Sequence, residues 1–291
     1  MYLPRKIDLH MHTTVSDGTD TPEELIGRVR AAGIELFSVT DHDAIKGCQT
    51  VRDHLREGDP AFLSGVEFSC KDEKGRYHIL GYGYEPEAPS IQDIVAEGHR
   101  LRMYKLDVRL AFLKDEFGFD FSEEDRAALH ALDNPGKPHL GNLMVRYGYA
   151  PSKDVAIRDY IDKFKAGSAF VRPEDAIRAI LGAGGIPVLA HPSYGRGDEL
   201  ILGDDMDRRL KRLMDYGLQG VEAFYSGFSP KLISEMLAFA GQYGLFVTAG
   251  SDYHGKNKLV RLGDTNLTDA ADYPEGLRRF LEVISEKLQT A

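Results

Sequence analysis

Again and again along this chain, a short apolar run stops at a histidine or an acid and a helical pattern follows. Leu36-Phe37-Ser38-Val39-Thr40 delivers Asp41-His42-Asp43, Ile186–Ala190 delivers His191-Pro192, and Leu245–Ala249 delivers Gly250-Ser251-Asp252-Tyr253-His254. Strand alternating with helix implies βα units, and so a parallel sheet or barrel with helices outside. Seven strands are expected. The others are Ile7–His12, a run from Ala61 into Gly65-Val66-Glu67-Phe68-Ser69, Tyr77–Gly83 and Gly220–Phe224. In a parallel α/β barrel the C-terminal strand ends converge on one face, where the chemistry is done. The polar residues that terminate these strands should therefore meet.

The first strand carries the densest group. Read as alternating, Ile7-Asp8-Leu9-His10-Met11-His12 turns Asp8, His10 and His12 to one face and Ile7, Leu9 and Met11 to the core. Two imidazoles on one face can reach a single metal ion, and the Ser16-Asp17-Gly18 turn returns a third candidate, Asp17. With His42, Glu67, His78, His191, Asp252 and His254 the candidates number nine. Mixed imidazole and carboxylate ligands suit Zn, Mn or Fe, and without a cysteine cluster a structural zinc site is disfavoured. Nine ligands exceed the needs of one ion, and a carboxylate such as Glu67 can bridge, so two to three divalent ions are expected.

The rhythm breaks once. From Pro86 to about Gly167 the patterns are helical: Ile91–Phe117 is long and rich in Arg, Lys and Leu, Ser122 caps another helix, and Pro138–Tyr147 and Ser152–Lys165 suggest two more. This predicts an inserted small α-helical subdomain, 86–167, within a barrel domain formed by 1–85 and 168–291. The net charge of −10 argues against nucleic acid as a partner, since backbone binding needs a basic face. Two cysteines, Cys48 and Cys70, are too few for a disulfide framework. No apolar signal segment precedes the first strand, and no run nears the roughly 20 apolar residues of a membrane span. A cytoplasmic protein with no membrane partner is the expectation.

Taken in order, Asp8-Leu9-His10-Met11-His12, Thr40-Asp41-His42-Asp43, Gly65-Val66-Glu67, His191-Pro192 and Gly250-Ser251-Asp252-Tyr253-His254 resemble the motifs of the PHP (polymerase and histidinol phosphatase) family of metal-dependent phosphoesterases. The resemblance implies a distorted seven-stranded (β/α)7 barrel, in agreement with the strand count. It also implies three metal positions. One would take His10, His12, Glu67 and Asp252; a second Glu67, His78 and His191; a third Asp17, His42 and His254. Some members have histidine where Asp17 stands. Asp17, His42, Glu67, His191 and His254 are assigned to catalysis on the same basis. The implied reaction is hydrolysis at phosphorus by a metal-bridged hydroxide, with the cations neutralising the phosphoryl oxygens. Asp41 and Asp43 are expected to orient ligand histidines, with helix capping the alternative for Asp43.

The substrate is expected to be a small phosphorylated metabolite. In relatives that act on nucleoside 3′,5′-bisphosphates, an Arg-Thr-His segment and an arginine after His-Pro grip phosphate. Lys137-Pro138-His139 and Arg196 stand at the corresponding positions here, so Lys137, His139 and Arg196 are the expected substrate-binding residues. Tyr225-Ser226-Gly227-Phe228-Ser229 departs from the Ser-Gly-Ser-His of those relatives. These departures favour a cyclic phosphodiester of a sugar phosphate, of the phosphoribosyl cyclic phosphate type. A nucleoside 3′,5′-bisphosphate phosphatase, a histidinol-phosphate phosphatase and an inactive metal-binding regulatory module are the alternatives.

Overall fold

The computed structural model describes residues 3–164, 169–195, 199–268 and 273–289. Its strands are β1 (Ile7–Asp8), β2 (Leu36–Val39), β3 (Ala61–Asp72), β4 (Gly75–Tyr82), β5 (Ile186–Leu189), β6 (Gly220–Tyr225) and β7 (Phe246–Gly250), which form one seven-stranded sheet in sequence order. Its two edges meet. Leu9 N–H donates to Ala249 O (2.9 Å), Asp252 N–H to His10 O (2.8 Å) and His12 N–H to Tyr253 O (2.9 Å), so the sheet curls into a distorted barrel. Gly250 permits this closure, because a Cβ there would stand 2.2 Å from the His10 Cβ.

Helices α1 (Pro22–Ala31) and α2 (Lys46–His54) follow β1 and β2. Thr21 and Glu24 close α1 with a reciprocal capping box, and Pro22 stands at its first turn. Between β4 and the next barrel helix lie α3 (Pro89–Phe117), α4 (Glu123–His130), α5 (Lys137–Arg146) and α6 (Lys153–Val155), the last running on as a π-turn. These helices have their own apolar cluster, centred on Leu110, Leu113, Leu140, Leu143 and Met144. Helices α7 (Pro173–Gly182), α8 (Gly203–Asp215), α9 (Pro230–Tyr243) and α10 (Glu275–Ile284) alternate with β5, β6 and β7 and pack outside the sheet. No described helix is long and apolar enough to cross a membrane.

Two local features differ from the sequence reading. First, β4 is antiparallel to both neighbours, β3 and β5. Its cause is a tight hairpin in which Asp72 Oδ1 accepts from Lys74 N–H (2.8 Å) and Gly75 N–H (3.0 Å), leaving no room for a crossover helix. His78 near the start of β4 consequently lies opposite Ser69, on the side where β3 and β5 have their C-terminal ends. Second, β1 has only two residues in regular register, and the Asp8 carboxylate does not join His10 and His12. Its oxygens accept from Ser251 N–H (2.9 Å) and Gly263 N–H (2.8 Å), fixing the loops that close the barrel. Burial raises the Asp8 carboxyl to about 6 against these hydrogen bonds.

Candidate metal centre

The strand ends bring all nine expected ligands together around Glu67, which is fully buried. Glu67 Oε2 lies 3.3 Å from His10 Nε2, 3.2 Å from His12 Nε2 and 3.1 Å from His42 Nδ1. Its other oxygen, Oε1, lies 2.9 Å from His78 Nδ1 and 3.2 Å from His191 Nε2. The two lone-pair faces of one carboxylate thus point at two groups of imidazoles. Asp252 Oδ1 completes the first group, 3.6 Å from His10 Nε2 and 3.4 Å from His12 Nε2. Asp17 Oδ1 stands 3.2 Å from His254 Nε2, and donor atoms of His12, Asp17, His42 and His254 all fall within 4.8 Å of one another. His42 therefore faces both Glu67 and the Asp17–His254 pair, where the resemblance assigns it to the latter alone.

Among the described residues, the buried polar atoms that lack a hydrogen-bond partner include His10 Nε2, His12 Nε2, Asp17 Oδ1 and Glu67 Oε2. Such atoms destabilise a fold by about 1–3 kcal/mol each when nothing fills the gap between them. Here all four face the same small volume. Imidazole nitrogens and carboxylate oxygens fit Zn, Mn or Fe, and the thiols lie elsewhere, Cys48 Sγ being 2.9 Å from Val39 O. The residues present fit divalent metal ions.

The electrostatics favour cations. Burial opposes the charge on Glu67, yet His10, His78 and His42 hold its carboxyl well below the usual range. Asp17 is lowered in the same way by His42 and His254, and Asp252 by Lys258 and His10. Conversely, the surrounding carboxylates overcome burial to raise His10 well above the usual imidazole range and His12 to about 9. Backbone strain gathers here too: Asp43 (φ 49°), His191 (φ 27°) and Asp252 (φ 59°) are non-glycine residues with positive φ.

A supporting layer orients these ligands. His10 Nδ1 lies 2.9 Å from Glu222 Oε1, and Glu222 Oε2 accepts from His191 N–H (2.8 Å). Asp252 Oδ2 accepts from Tyr225 Oη (2.9 Å) and Lys258 Nζ (2.5 Å), leaving Oδ1 toward the histidines. Asp41 accepts from Thr13 N–H (2.8 Å) and Ser16 Oγ (2.6 Å), and Ser16 Oγ is 3.4 Å from His12 Nδ1. Asp43 does not cap α2, whose first turn has no side-chain cap. It accepts instead from Ser69 N–H (2.9 Å) and Arg102 Nε (2.8 Å), with Ser69 Oγ 3.5 Å from His42 Nδ1. The sequence reading gives no role to Glu222, Ser69, Lys258 or Arg102, and it marks Tyr225 only as part of a segment that departs from relatives. For Glu222 a signal existed, a lone charge inside the apolar run Gly220-Val221-Glu222-Ala223-Phe224.

Of the expected substrate-binding residues, Lys137 forms an ion pair with Asp162. His139 Nδ1 accepts from Gly136 N–H (3.0 Å) at the start of α5; burial lowers its pKa against the pull of Asp17. Arg196 lies outside the described residues. His54, His99 and His130, which belong to no motif, have Nδ1 against the carbonyls of Thr50, Asp133 and Arg126.

A barrel that gathers imidazoles and carboxylates around one buried glutamate is the architecture of a metal-dependent hydrolase. The PHP domain family model matches residues 8–168, more than half of the chain. This chain belongs to the PHP domain family. It is 31% identical over 259 residues to a 3′,5′-nucleoside bisphosphate phosphatase of Chromobacterium violaceum, covering 85% of this chain and 87% of that one. It is 33% identical over 263 residues to a phosphoribosyl 1,2-cyclic phosphate 1,2-diphosphodiesterase of Eggerthella lenta, covering 86% and 94%. A 5′-3′ exoribonuclease of Haemophilus influenzae is 27% identical over 266 residues, covering 90% and 94%. A solved structure from Bifidobacterium adolescentis, assigned to a metal-dependent phosphoesterase, superposes with a TM-score of 0.81 at 29% identity, covering 95% and 96%. The protein is an enzyme, a phosphoric ester hydrolase.

Proposed function

We propose that this enzyme hydrolyses a small, doubly anionic phosphorylated metabolite, a cyclic phosphodiester of a sugar phosphate being the preferred substrate. The observation that carries the reading is the position of Glu67, whose two oxygens each face a separate set of imidazoles. That arrangement supports two to three divalent ions, Mn, Fe or Zn, held by the nine residues His10, His12, Asp17, His42, Glu67, His78, His191, Asp252 and His254. When bound, such ions neutralise phosphoryl charge and acidify water near neutral pH.

The chain's own residues do the rest. Glu222 fixes the tautomer of His10, so that its Nε2 lone pair faces Glu67 and Asp252. Tyr225 and Lys258 restrain Asp252 at one oxygen. Hydrolysis adds water across one P–O ester bond, and the released alcohol takes up the proton. Asp17, His42, His191 and His254 ring this reaction volume. The helices of 86–167, read as an inserted subdomain, limit access to small molecules, with Lys137, His139 and Arg196 as the expected grip on a second anionic group. Identity of 33% to the cyclic phosphate diphosphodiesterase supports the cyclic substrate. A nucleoside 3′,5′-bisphosphate is the second reading, supported by 31% identity to the bisphosphate phosphatase.

The test is a panel of mono-, bis- and cyclic phosphates and a single-stranded oligoribonucleotide, compared by kcat/KM with the metal-loaded enzyme. Bis- or cyclic phosphates should win by about tenfold or more, which corresponds to roughly 1.4 kcal/mol from one phosphate contact. A preference for simple monophosphates or for the oligonucleotide would refute the two-anion reading.

A further inference from the structure

Arg102, Lys105 and Arg109 recur on α3 at positions i, i+3 and i+7, so they line one face of the helix. Arg102 is fully engaged. It pairs with Asp43 Oδ2 (2.7 Å) and donates to Ser69 Oγ (3.0 Å), which neighbours His42 at the edge of the metal centre.

The next two cations differ. Lys105 is only 5% exposed, and among the described residues its ammonium has no carboxylate partner; it rests 3.9 Å from the centre of the Phe170 ring. Arg109 Nε is buried without a hydrogen-bond partner. More positive charge surrounds the same ring, with the Arg76 guanidinium at 5.3 Å and Lys71 Nζ at 5.9 Å. The nearby acids already have partners: Asp43 holds Arg102, and Asp162 holds Lys137. Residues 165–168, which precede Phe170 in the chain, read Lys-Ala-Gly-Ser and bring no acid.

Burying Lys105 and Arg109 beside other cations is unfavourable for folding, and the acids that act on them, Asp43 and Asp162, are each shared with another cation. Burial and the nearby Arg102 push the Lys105 ammonium down to about 7, and burial pushes Arg109 down to about 10. The cation–π contact with Phe170 offsets part of that cost. An anion between Lys105 and Arg109 offsets it directly, with charge-assisted hydrogen bonds.

We infer that Lys105 and Arg109 form a second anion subsite, which holds the non-reacting phosphate of the substrate while the scissile phosphate lies at the metal centre. This inference rests on the phosphoesterase reading above and changes its detail. The grip on the second anion comes chiefly from α3, whereas Lys137 is neutralised by Asp162. Seven residues of helix separate Arg102 from Arg109, about 10 Å along the axis, a span that suits phosphates at opposite ends of one sugar or nucleoside. The ligand class is a sugar or nucleoside phosphate bearing a second phosphate monoester.

The experiment uses matched probes: adenosine 3′- and 5′-monophosphate against adenosine 3′,5′-bisphosphate, and ribose 1,2-cyclic phosphate with and without a 5-phosphate. The readout is the ratio of kcat/KM within each pair, for wild type, Lys105→Met and Arg109→Gln. Lys114→Met, on an exposed part of the same helix, is the control. The ratio favouring the doubly charged probe should fall about tenfold in each α3 variant and keep its wild-type value in the control. Ratios within twofold of wild type in both α3 variants, with native circular dichroism, overturn the subsite. If the wild-type metal-loaded enzyme turns over no member of either pair, the substrate reading fails instead. Calorimetric binding of adenosine 3′,5′-bisphosphate to chelated protein then decides the subsite by itself. Tenfold weaker binding by Lys105→Met supports it, and equal affinity overturns it.

Discussion

Replacing Glu222 by Gln isolates the electrostatic part of the ligand scaffold, since shape and volume are kept. Glu222 is fully buried and serves two donors at once: Oε1 faces His10 Nδ1 at 2.9 Å and Oε2 accepts from His191 N–H at 2.8 Å. Glutamine has one carbonyl oxygen, so one of the two donors must meet an NH2 group instead. A lost hydrogen bond to a charged group is worth about 1.5–3 kcal/mol. If the cost falls on His10, its tautomer is no longer fixed and its Nε2 lone pair is lost to the metal for part of the time. Partners of this kind typically alter metal affinity by roughly 10–100-fold. The assay is a competitive metal titration of chelated protein against a chromophoric chelator, alongside thermal unfolding with and without metal. Glu222→Gln should weaken the tightest site by at least about tenfold, a loss of roughly 1.4 kcal/mol, with a correspondingly smaller metal-induced rise in Tm. Wild-type affinity in a folded Glu222→Gln protein would refute the orienting role.

Three further outcomes follow from the same geometry. Glu67→Gln should lower metal content at two positions together and abolish most activity, because Glu67 faces both imidazole groups; full occupancy by elemental analysis would show that it bridges nothing. Metal uptake should release protons at pH 7, since His12 is raised from 6.5 to about 9 and must be neutral to ligate; release should fade above pH 9, and a pH indicator that records none at pH 7 would contradict the assignment. The sign for chelated protein is also fixed: the stability His12 contributes is complete below about pH 6.5 and is lost as pH rises through about 9. Lys258→Met, which frees Asp252 Oδ2 of its ion pair, should lower metal affinity and activity together; wild-type metal affinity in the folded variant would show that Lys258 does not restrain Asp252 as a ligand.

The nine candidate positions are legible in the sequence chiefly because a histidine or an acid follows a short apolar strand, as at His42, His191, Asp252 and His254, and a barrel brings such ends together whatever the helices do; Glu67 lies inside β3 and His78 near the start of β4. The same logic hides β4. Its apolar pattern reads as another βα strand, whereas the antiparallel direction is decided by Asp72 and a two-residue turn. Asp8 shares the alternation of His10 and His12, yet unpaired backbone N–H groups of Ser251 and Gly263 compete for its carboxylate. Long-range pairing of this kind leaves no local pattern. Glu222 and His10 are 212 residues apart, and only the closed sheet places them side by side. Lys105 and Arg109 are invisible for a different reason. On a long charged helix they read as a solvated face, and only packing of the Phe170 segment against α3 turns Lys105 inward.

The central claim is that convergent histidines and carboxylates hold a multinuclear metal centre on which phosphoester hydrolysis depends. Elemental analysis coupled to turnover tests it most directly. Protein loaded with Mn, Fe or Zn and freed of excess should contain two to three ions per chain and hydrolyse an aryl phosphate ester. Chelation should remove both the ions and the turnover, and adding metal back should restore both in proportion. At most one ion per chain with full activity, or turnover that survives complete chelation, would contradict the account.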